Sequence, residues 1–269
     1  MRLLMFIDTH THLYDEEMIE AQDAHIRRAL AAGVHKMYMP NCDSGTVQGM
    51  LDIAVRFPVN CFPMAGLHPC YVKENFREEL ALVKRELETR PYVAVGEVGL
   101  DFYWDRTHAQ EQKVAFEQQI DWAMELGLPV IIHSRSSTKE CSDIVARKQN
   151  GSLVTVFHCY SGTAEEALRI CDMGGYLGIG GVVTFKKSIL PDVLRAVPIS
   201  SIVLETDAPY LAPVPYRGKR NESTYIPLIA EKVAEIYEMG LEDVARITSE
   251  NAEKIFGNTK MDSLHLQPS

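Results

Sequence analysis

The chain has 269 residues, of which 46% are hydrophobic, and a formal net charge of −10 with a pI of about 5.4. This length and composition are sufficient for a large core and exclude a small scaffold held by disulfide bonds, so the six cysteines are expected to be reduced thiols. The acidic balance argues against a protein that coats duplex DNA through bulk electrostatics. It leaves open an enzyme that binds a nucleic-acid end through metals and a few local cations.

The apolar runs of the chain are short. None approaches the roughly 20 consecutive apolar residues of a membrane span, and the run after Arg2 is too short for the core of a signal peptide. We therefore expect a cytoplasmic protein that does not engage a membrane. No obligatory protein partner can be read from the sequence.

Short β-type runs alternate with amphipathic segments along the chain. The runs lie at residues 3–8, 36–40, 61–66, 92–97, 129–133, 153–158, 176–180 and 202–205. Helical periodicity is found at residues 19–32, 45–57, 74–88, 107–126, 136–148, 163–173, 189–196, 222–238 and 241–256. Strand starts recur about every 28 residues, which is the period of a βα unit. The fold class predicted is α/β, a (β/α)8 TIM barrel.

One domain is expected to occupy residues 1–257, followed by a polar C-terminal tail at 258–269 without periodicity. A doubly wound sheet fits less well. It would need a glycine-rich phosphate-binding turn after its first strand, and here that turn is Asp8–His12.

Several of the predicted strands end in a residue type that binds metals. These residues are His10, His12, Glu97, His133, His158 and Asp207. Because alternate residues of an extended segment point the same way, His10 and His12 present both imidazoles to one side. The carboxyl ends of barrel strands build the active site, so all six residues are expected to converge there.

The ligand types indicate a catalytic rather than a structural metal site. Imidazole and carboxylate without an ordered set of thiolates favour Zn²⁺, Mn²⁺, Fe²⁺, Co²⁺ or Mg²⁺ over a closed Cys₄ zinc site. Two ions bridged by Glu97 would suit a hydrolytic centre. Asp207, after the last strand, is placed to bind one ion and to accept the proton of the attacking water.

Four further residues are candidates for substrate binding. His68, after the third strand, would contact a substrate phosphate or a metal-bound water, or else serve as a turn residue packed by Pro69. Arg135 would offer a phosphate a bidentate donor, or else pair with a surface acid. Glu205 is expected to orient a ligand or to partner a buried cation. Lys219 belongs to the basic group Arg217–Arg220, after the eighth strand.

Two other loop segments bear on substrate binding. Lys186 and Lys187 follow the seventh strand, so together with the basic group after the eighth strand they fall in the usual phosphate-binding quarter of such barrels. The segment Asp101–Trp104 is an acidic and aromatic loop on which a base could stack, although such loops often serve packing alone.

Six segments together carry a family resemblance. They are Phe6–Leu13, Gly66–Pro69, Gly96–Asp101, Pro129–Arg135, Phe157–Gly162 and Leu204–Leu211. With them the chain resembles, over nearly its whole length, the TatD family of metal-dependent deoxyribonucleases within the amidohydrolase superfamily of metallo-barrels.

The resemblance implies a ligand set for two divalent cations per subunit, Zn²⁺, Mg²⁺ or Mn²⁺. It implies that one cation is held by His10, His12, Glu97 and Asp207, and the other by Glu97, His133 and His158. In this scheme Glu97 takes the bridging role that a carboxylated lysine plays in some related barrels.

By the same resemblance, the expected reaction is hydrolysis of DNA phosphodiester bonds, at single strands or 3′ ends, by hydroxide that two metals activate. A related centre can also activate water against a carbonyl, so an ester or amide hydrolase, such as an aminoacyl-tRNA deacylase, is the alternative enzyme. A metal-loaded binding protein without turnover is the third reading.

Overall fold

The computed structural model describes residues 4–257, so the tail predicted at 258–269 and the predicted strand start at Leu3 lie outside the described residues. The eight strands within this range are β1 Phe6–Asp8, β2 Val34–Met39, β3 Cys61–Pro63, β4 Val95–Asp101, β5 Val130–Arg135, β6 Thr155–Phe157, β7 Tyr176–Ile179 and β8 Ile202–Leu204. The helices are α1 Gln22–Ala31, α2 Val47–Arg56, α3 Phe76–Thr89, α4 Ala109–Leu126, α5 Thr138–Lys148, α6 Ala164–Asp172, α7 Leu190–Ala196, α8 Ile226–Tyr237 and α9 Leu241–Phe256.

Strands and helices alternate in the order that the sequence predicts, which confirms the α/β class. Two boundaries correct the predictions. β4 continues past Glu97 to Asp101, and β5 continues past His133 to Arg135. Each predicted strand ends at a metal-binding residue type, Glu97 or His133. All seven residues of β4 are buried, so its carboxylates face the interior of the protein and do not interrupt the strand.

The contacts divide the described chain into two compact units, residues 4–39 with 156–254 and residues 40–155 with 255–257. The single domain expected at 1–257 stays a prediction. Between residues 4 and 257, no helix is both long and apolar enough to cross a membrane.

The first unit is built on parallel strands. β1 pairs with β2, and β7 pairs with both β6 and β8. The backbone N–H of Thr9 donates to the carbonyl of Leu204 at 3.0 Å, and that of His12 donates to the carbonyl of Ala208 at 2.7 Å. β1 therefore lies beside β8, and the carboxyl ends of β1 and β8 are neighbours. Helix α8 packs on both strands.

The second unit holds β3, β4 and β5, and β4 pairs with β5 in parallel. Ala65, just after β3, forms a bridge with Val95, and in the β4–β5 pair Gly99 lies beside His133 and Asp101 beside Arg135. Helix α4 packs on β4 and buries Phe116 fully. The carboxyl halves of β4 and β5 thus lie side by side.

Asp8 ties the turn after β1 to the segment after β8. One carboxylate oxygen accepts from the N–H of Thr206 at 2.9 Å and from the N–H of His10 at 3.3 Å. The other oxygen accepts from the hydroxyl of Thr206 at 2.6 Å. These hydrogen bonds lower the pKa of Asp8, but burial outweighs them and raises that pKa to about 7. Asp8 therefore fixes the turn that carries His10.

We expect Asp8→Ala to lower the free energy of unfolding by about 3 kcal/mol, because it leaves the two donors of Thr206 buried without an acceptor. Asp8→Asn keeps the shape and one acceptor oxygen, so its loss should be smaller. Urea denaturation measures both. Asp192→Ala removes an exposed partner of Arg195 and is the control, with an expected change within about 0.5 kcal/mol. An Asp8→Ala protein as stable as the parent would contradict this role.

Gly99 permits the close approach of β4 to β5. Its φ of +138° is left-handed, and a Cβ there would overlap the carbonyl oxygen of His133. We expect Gly99→Ala to destabilise the protein by about 3 kcal/mol through strain and overpacking. Gly151→Ala is the matched control, because Gly151 has a φ of +90° with no atom within 4 Å of the added Cβ. It should cost only about 1 kcal/mol. Equal losses in thermal or urea unfolding would show that the close approach does not matter.

Candidate metal-binding groups

The first candidate group lies at the carboxyl ends of β1, β6 and β8. His10, His158 and Asp207 offer ligand atoms that all lie within 4.8 Å of one another. The rings of His10 and His158 stack with their centroids 3.8 Å apart. Asp207 Oδ1 lies 3.7 Å from His10 Nε2 and 3.4 Å from His12 Nε2. Four of the six predicted ligands therefore come together within the first unit.

Hydrogen bonds orient this group. Nδ1 of His12 lies 2.8 Å from the hydroxyl of Tyr14, so it is the other ring nitrogen, Nε2, that faces Asp207. Burial raises the pKa of Asp207, but its hydrogen bond with His12 and the positive charges of His158 and His10 outweigh burial and lower the pKa overall. Asp207 is therefore a carboxylate at neutral pH, as a metal ligand has to be.

The backbone is unusual at this group. Asp207 has a φ of +56°, and Cys159, directly after His158, has a φ of +44°. Residues other than glycine rarely adopt this left-handed conformation. It costs about 1–3 kcal/mol and is concentrated at functional sites. Aspartate is among the residue types that adopt this conformation more often than most, whereas nothing in the type of Cys159 signals it.

The second candidate group lies on β4, β5 and the loop after β3. Glu97 Oε1 lies 2.7 Å from His133 Nδ1 and 3.2 Å from His68 Nε2. The ligand atoms of these three residues also lie within 4.8 Å of one another. The N–H of Glu97 donates to the carbonyl of Asn41 at 3.1 Å, which fixes the strand at the carboxylate. Imidazole and carboxylate donors at this spacing fit a divalent cation in both groups.

The tautomer of His68 distinguishes it from the other imidazoles. The N–H of Cys70 donates to His68 Nδ1 at 3.0 Å, so the imidazole proton is on Nε2. Nε2 then donates to Glu97 Oε1 rather than offering a lone pair. This geometry argues against a role of His68 as a metal ligand, and its contact with a phosphate or a water stays a prediction.

Asp101 belongs to the second group, although the sequence placed it in a loop at the rim. Its Oδ2 lies 3.0 Å from His133 Nε2, and its Oδ1 accepts from the N–H of Tyr103 at 2.9 Å. Burial raises the pKa of Asp101, but these hydrogen bonds outweigh it and lower the pKa to about 2. Because Asp101 follows Glu97 by four residues, both share a face of one strand. That spacing was the signal that could have found it.

Glu205 contacts His158 of the first group. It is fully buried, its Oε1 lies 3.6 Å from His158 Nδ1, and the same oxygen accepts from the N–H of Cys159. Gly178 makes room for this side chain, because a Cβ there would overlap Glu205 Oε2. A carboxylate without exposed surface cannot touch a substrate. The structure therefore favours the predicted orienting role of Glu205 over substrate contact.

The predicted cations lie at the surface. Arg135 is exposed, and its guanidinium carbon lies 4.0 Å from the ring centre of Tyr103. Across residues 4–257 the guanidinium of Arg135 has no carboxylate partner, so the alternative of a surface ion pair is not observed. Lys186, Lys187 and Lys219 are exposed as well.

Comparison with known proteins places the chain in a family. The family model described as TatD related DNase matches residues 7–257. The metal-dependent hydrolase YabD of Bacillus subtilis is 36% identical over 94% of this chain and 99% of its own length. A protein of Pantoea ananatis named 3′-5′ ssDNA/RNA exonuclease TatD is 32% identical over 93% of this chain and 98% of its own length.

A solved structure agrees with this placement. YjjV, a TatD homologue from Escherichia coli, superimposes with a TM-score of 0.89 at 28% identity and covers 95% of this chain and 99% of its own. The predicted fold class of a (β/α)8 TIM barrel is thereby confirmed. With its imidazole and carboxylate groups at the ends of the strands, this chain belongs to the TatD family of metal-dependent hydrolases.

Proposed function

We propose that this enzyme hydrolyses phosphodiester bonds of DNA, at single strands or 3′ ends, with two divalent cations per subunit. The observation that carries the proposal is the set of buried imidazoles around ionised Asp207, accompanied by a second set around Glu97. The printed name of the Pantoea relative, an exonuclease on single-stranded DNA and RNA, supports the substrate class.

The proposed ligands come from the two candidate groups. His10, His12, His158 and Asp207 offer donors in the first, and Glu97 and His133 offer donors in the second. The sharing of Glu97 between both cations stays a prediction of the sequence. When bound, divalent cations would lower the pKa of a water molecule and place positive charge beside the phosphate.

Protein side chains carry the remaining steps. Asp207, ionised because its pKa is lowered, would accept the proton of the attacking water. His68 would donate from Nε2 to a phosphate oxygen in place of Glu97 Oε1, its acceptor in this structure. Arg135 would donate to the same phosphate, since no carboxylate among residues 4–257 engages its guanidinium. Lys219 would bind a phosphate further along the strand.

Digestion of oligonucleotides labelled at the 5′ end tests this proposal. With Mg²⁺, Mn²⁺ or Zn²⁺ we expect a ladder that shortens from the 3′ end, and no products after chelation. An ester or amide hydrolase would leave the oligonucleotide intact and release the amino acid from an aminoacyl ester. A binding protein without turnover would do neither.

Glu97→Ala should lower kcat by about 10³-fold or more, since the loss of a shared ligand exposes both cations to mutual repulsion. Bound metal should fall below one equivalent per subunit in elemental analysis. Glu140→Ala, at an exposed position on α5, is the control and should keep the metal content of the parent. Two full equivalents of metal in Glu97→Ala would rule out the bridging assignment, even if activity were lost.

Asp207→Asn should lower kcat while the protein stays folded. The amide oxygen can still face a cation but cannot accept a proton, so kcat should fall by about 10²- to 10⁴-fold while the fold and the bound metal persist. Circular dichroism checks that the fold persists, and elemental analysis checks that the bound metal does. A near-normal kcat across about pH 6 to 9 would show that Asp207 is not the proton acceptor.

A further inference from the structure

Two adjacent aromatic side chains stand exposed after β4. Tyr103 is 56% exposed and Trp104 is 71% exposed, whereas the neighbouring Phe102 is buried. Their rings meet edge to face, with centroids 4.8 Å apart. Exposed rings bury little apolar area, so a contiguous pair of them is a candidate binding surface.

Arg135 lies against both rings. Its guanidinium carbon is 4.0 Å from the centre of Tyr103 and 5.1 Å from the centre of Trp104. Stacking on aromatic rings holds the guanidinium plane while its N–H donors stay at the edge. We call the group formed by Tyr103, Trp104 and Arg135 the aromatic platform.

The aromatic platform is anchored to the second candidate group. The N–H of Phe102 donates to the carbonyl of Arg135 at 2.9 Å, and the N–H of Tyr103 donates to Asp101 Oδ1 at 2.9 Å. Asp101 in turn contacts His133 at 3.0 Å. The position of the platform is therefore coupled through hydrogen bonds to a predicted metal ligand.

A cleft adjoins the platform on the side of Trp104. Its volume is about 320 Å³, at the lower end of the range of small-ligand pockets. Val72 and Lys73 line it together with Trp104, and the carboxylates of Asp101 and Asp105 line it as well. It therefore offers an apolar wall, one cation and two acidic groups. The apolar wall suits a flat ring, whereas the two carboxylates disfavour a phosphate inside this cleft.

We propose that the aromatic platform stacks an unpaired base of the nucleic acid, next to the phosphate that is cleaved. The proposal rests on the proposed function and names the part of the substrate that this surface takes. Rings stack with any base, so the platform would tolerate every sequence but would require a single strand. A net charge of −10 opposes a broad electrostatic grip, so contacts with bases have to contribute affinity.

Fluorescence offers a direct test because the chain has two tryptophans, exposed Trp104 and buried Trp122. The metal-loaded protein is titrated with a phosphorothioate thymidine hexamer, which resists hydrolysis, and with an abasic hexamer of the same backbone. We expect the thymidine hexamer to quench the emission of Trp104 and to bind about tenfold more tightly than the abasic one.

Variants make the test specific. Trp104→Ala should weaken binding of the thymidine hexamer about tenfold and leave binding of the abasic hexamer unchanged, whereas Trp104→Phe should stay within about threefold of the parent. Trp122→Phe is the matched control and should retain both affinity and quenching. Since Trp104 is exposed, its loss does not threaten the core. Equal affinities for the two hexamers, or full affinity in Trp104→Ala, would overturn the proposal.

Cleavage of the ordinary phosphodiester hexamer separates the two proposals. Quenching and base-dependent binding without cleavage would refute the proposed function but leave the stacking of a base on the platform standing. Cleavage with affinities that do not depend on bases would refute the platform alone.

Discussion

A carboxylate can be buried in a protein only if partners compensate for the water that it loses. This constraint organises the molecule, because Glu97, Asp101 and Asp207 are all buried and each faces an imidazole. The imidazoles stand at the ends of strands or within them, so the pairing of strands also sets the pairing of charges. A change in strand register would therefore break a polar contact and not only a backbone ladder.

The same pairing prepares both groups for cations. Carboxylates whose pKa is lowered by imidazoles are already ionised, so no proton has to leave them when a cation arrives. Imidazoles with one nitrogen occupied present the other in a fixed direction, as His12 does through Tyr14. The chain thus holds donors in place that a flexible surface cluster would have to assemble.

The sequence predicted each strand and each helix, and the four predicted ligands of the first group do meet within one unit. Periodicity and the placement of polar residues at strand ends are local signals, so they can be read from one chain. Two other contributors were missed. The partner of Asp8, Thr206, is distant in sequence, and a long-range contact of this kind leaves no local pattern. For Asp101 there is a local signal, because its spacing of four residues from Glu97 places both on one face of a strand, but its partner His133 is again distant.

Gly178 shows how far the chemistry of a site extends beyond its reactive groups. It has no side chain, yet Glu205 occupies the space that a side chain would fill and reaches His158. In a saturation scan of the gene, position 178 should therefore be as intolerant as the positions of the ligands. An inventory of acids and imidazoles would pass over it, and a redesign that filled the apparent gap would push Glu205 away from the histidine that it supports.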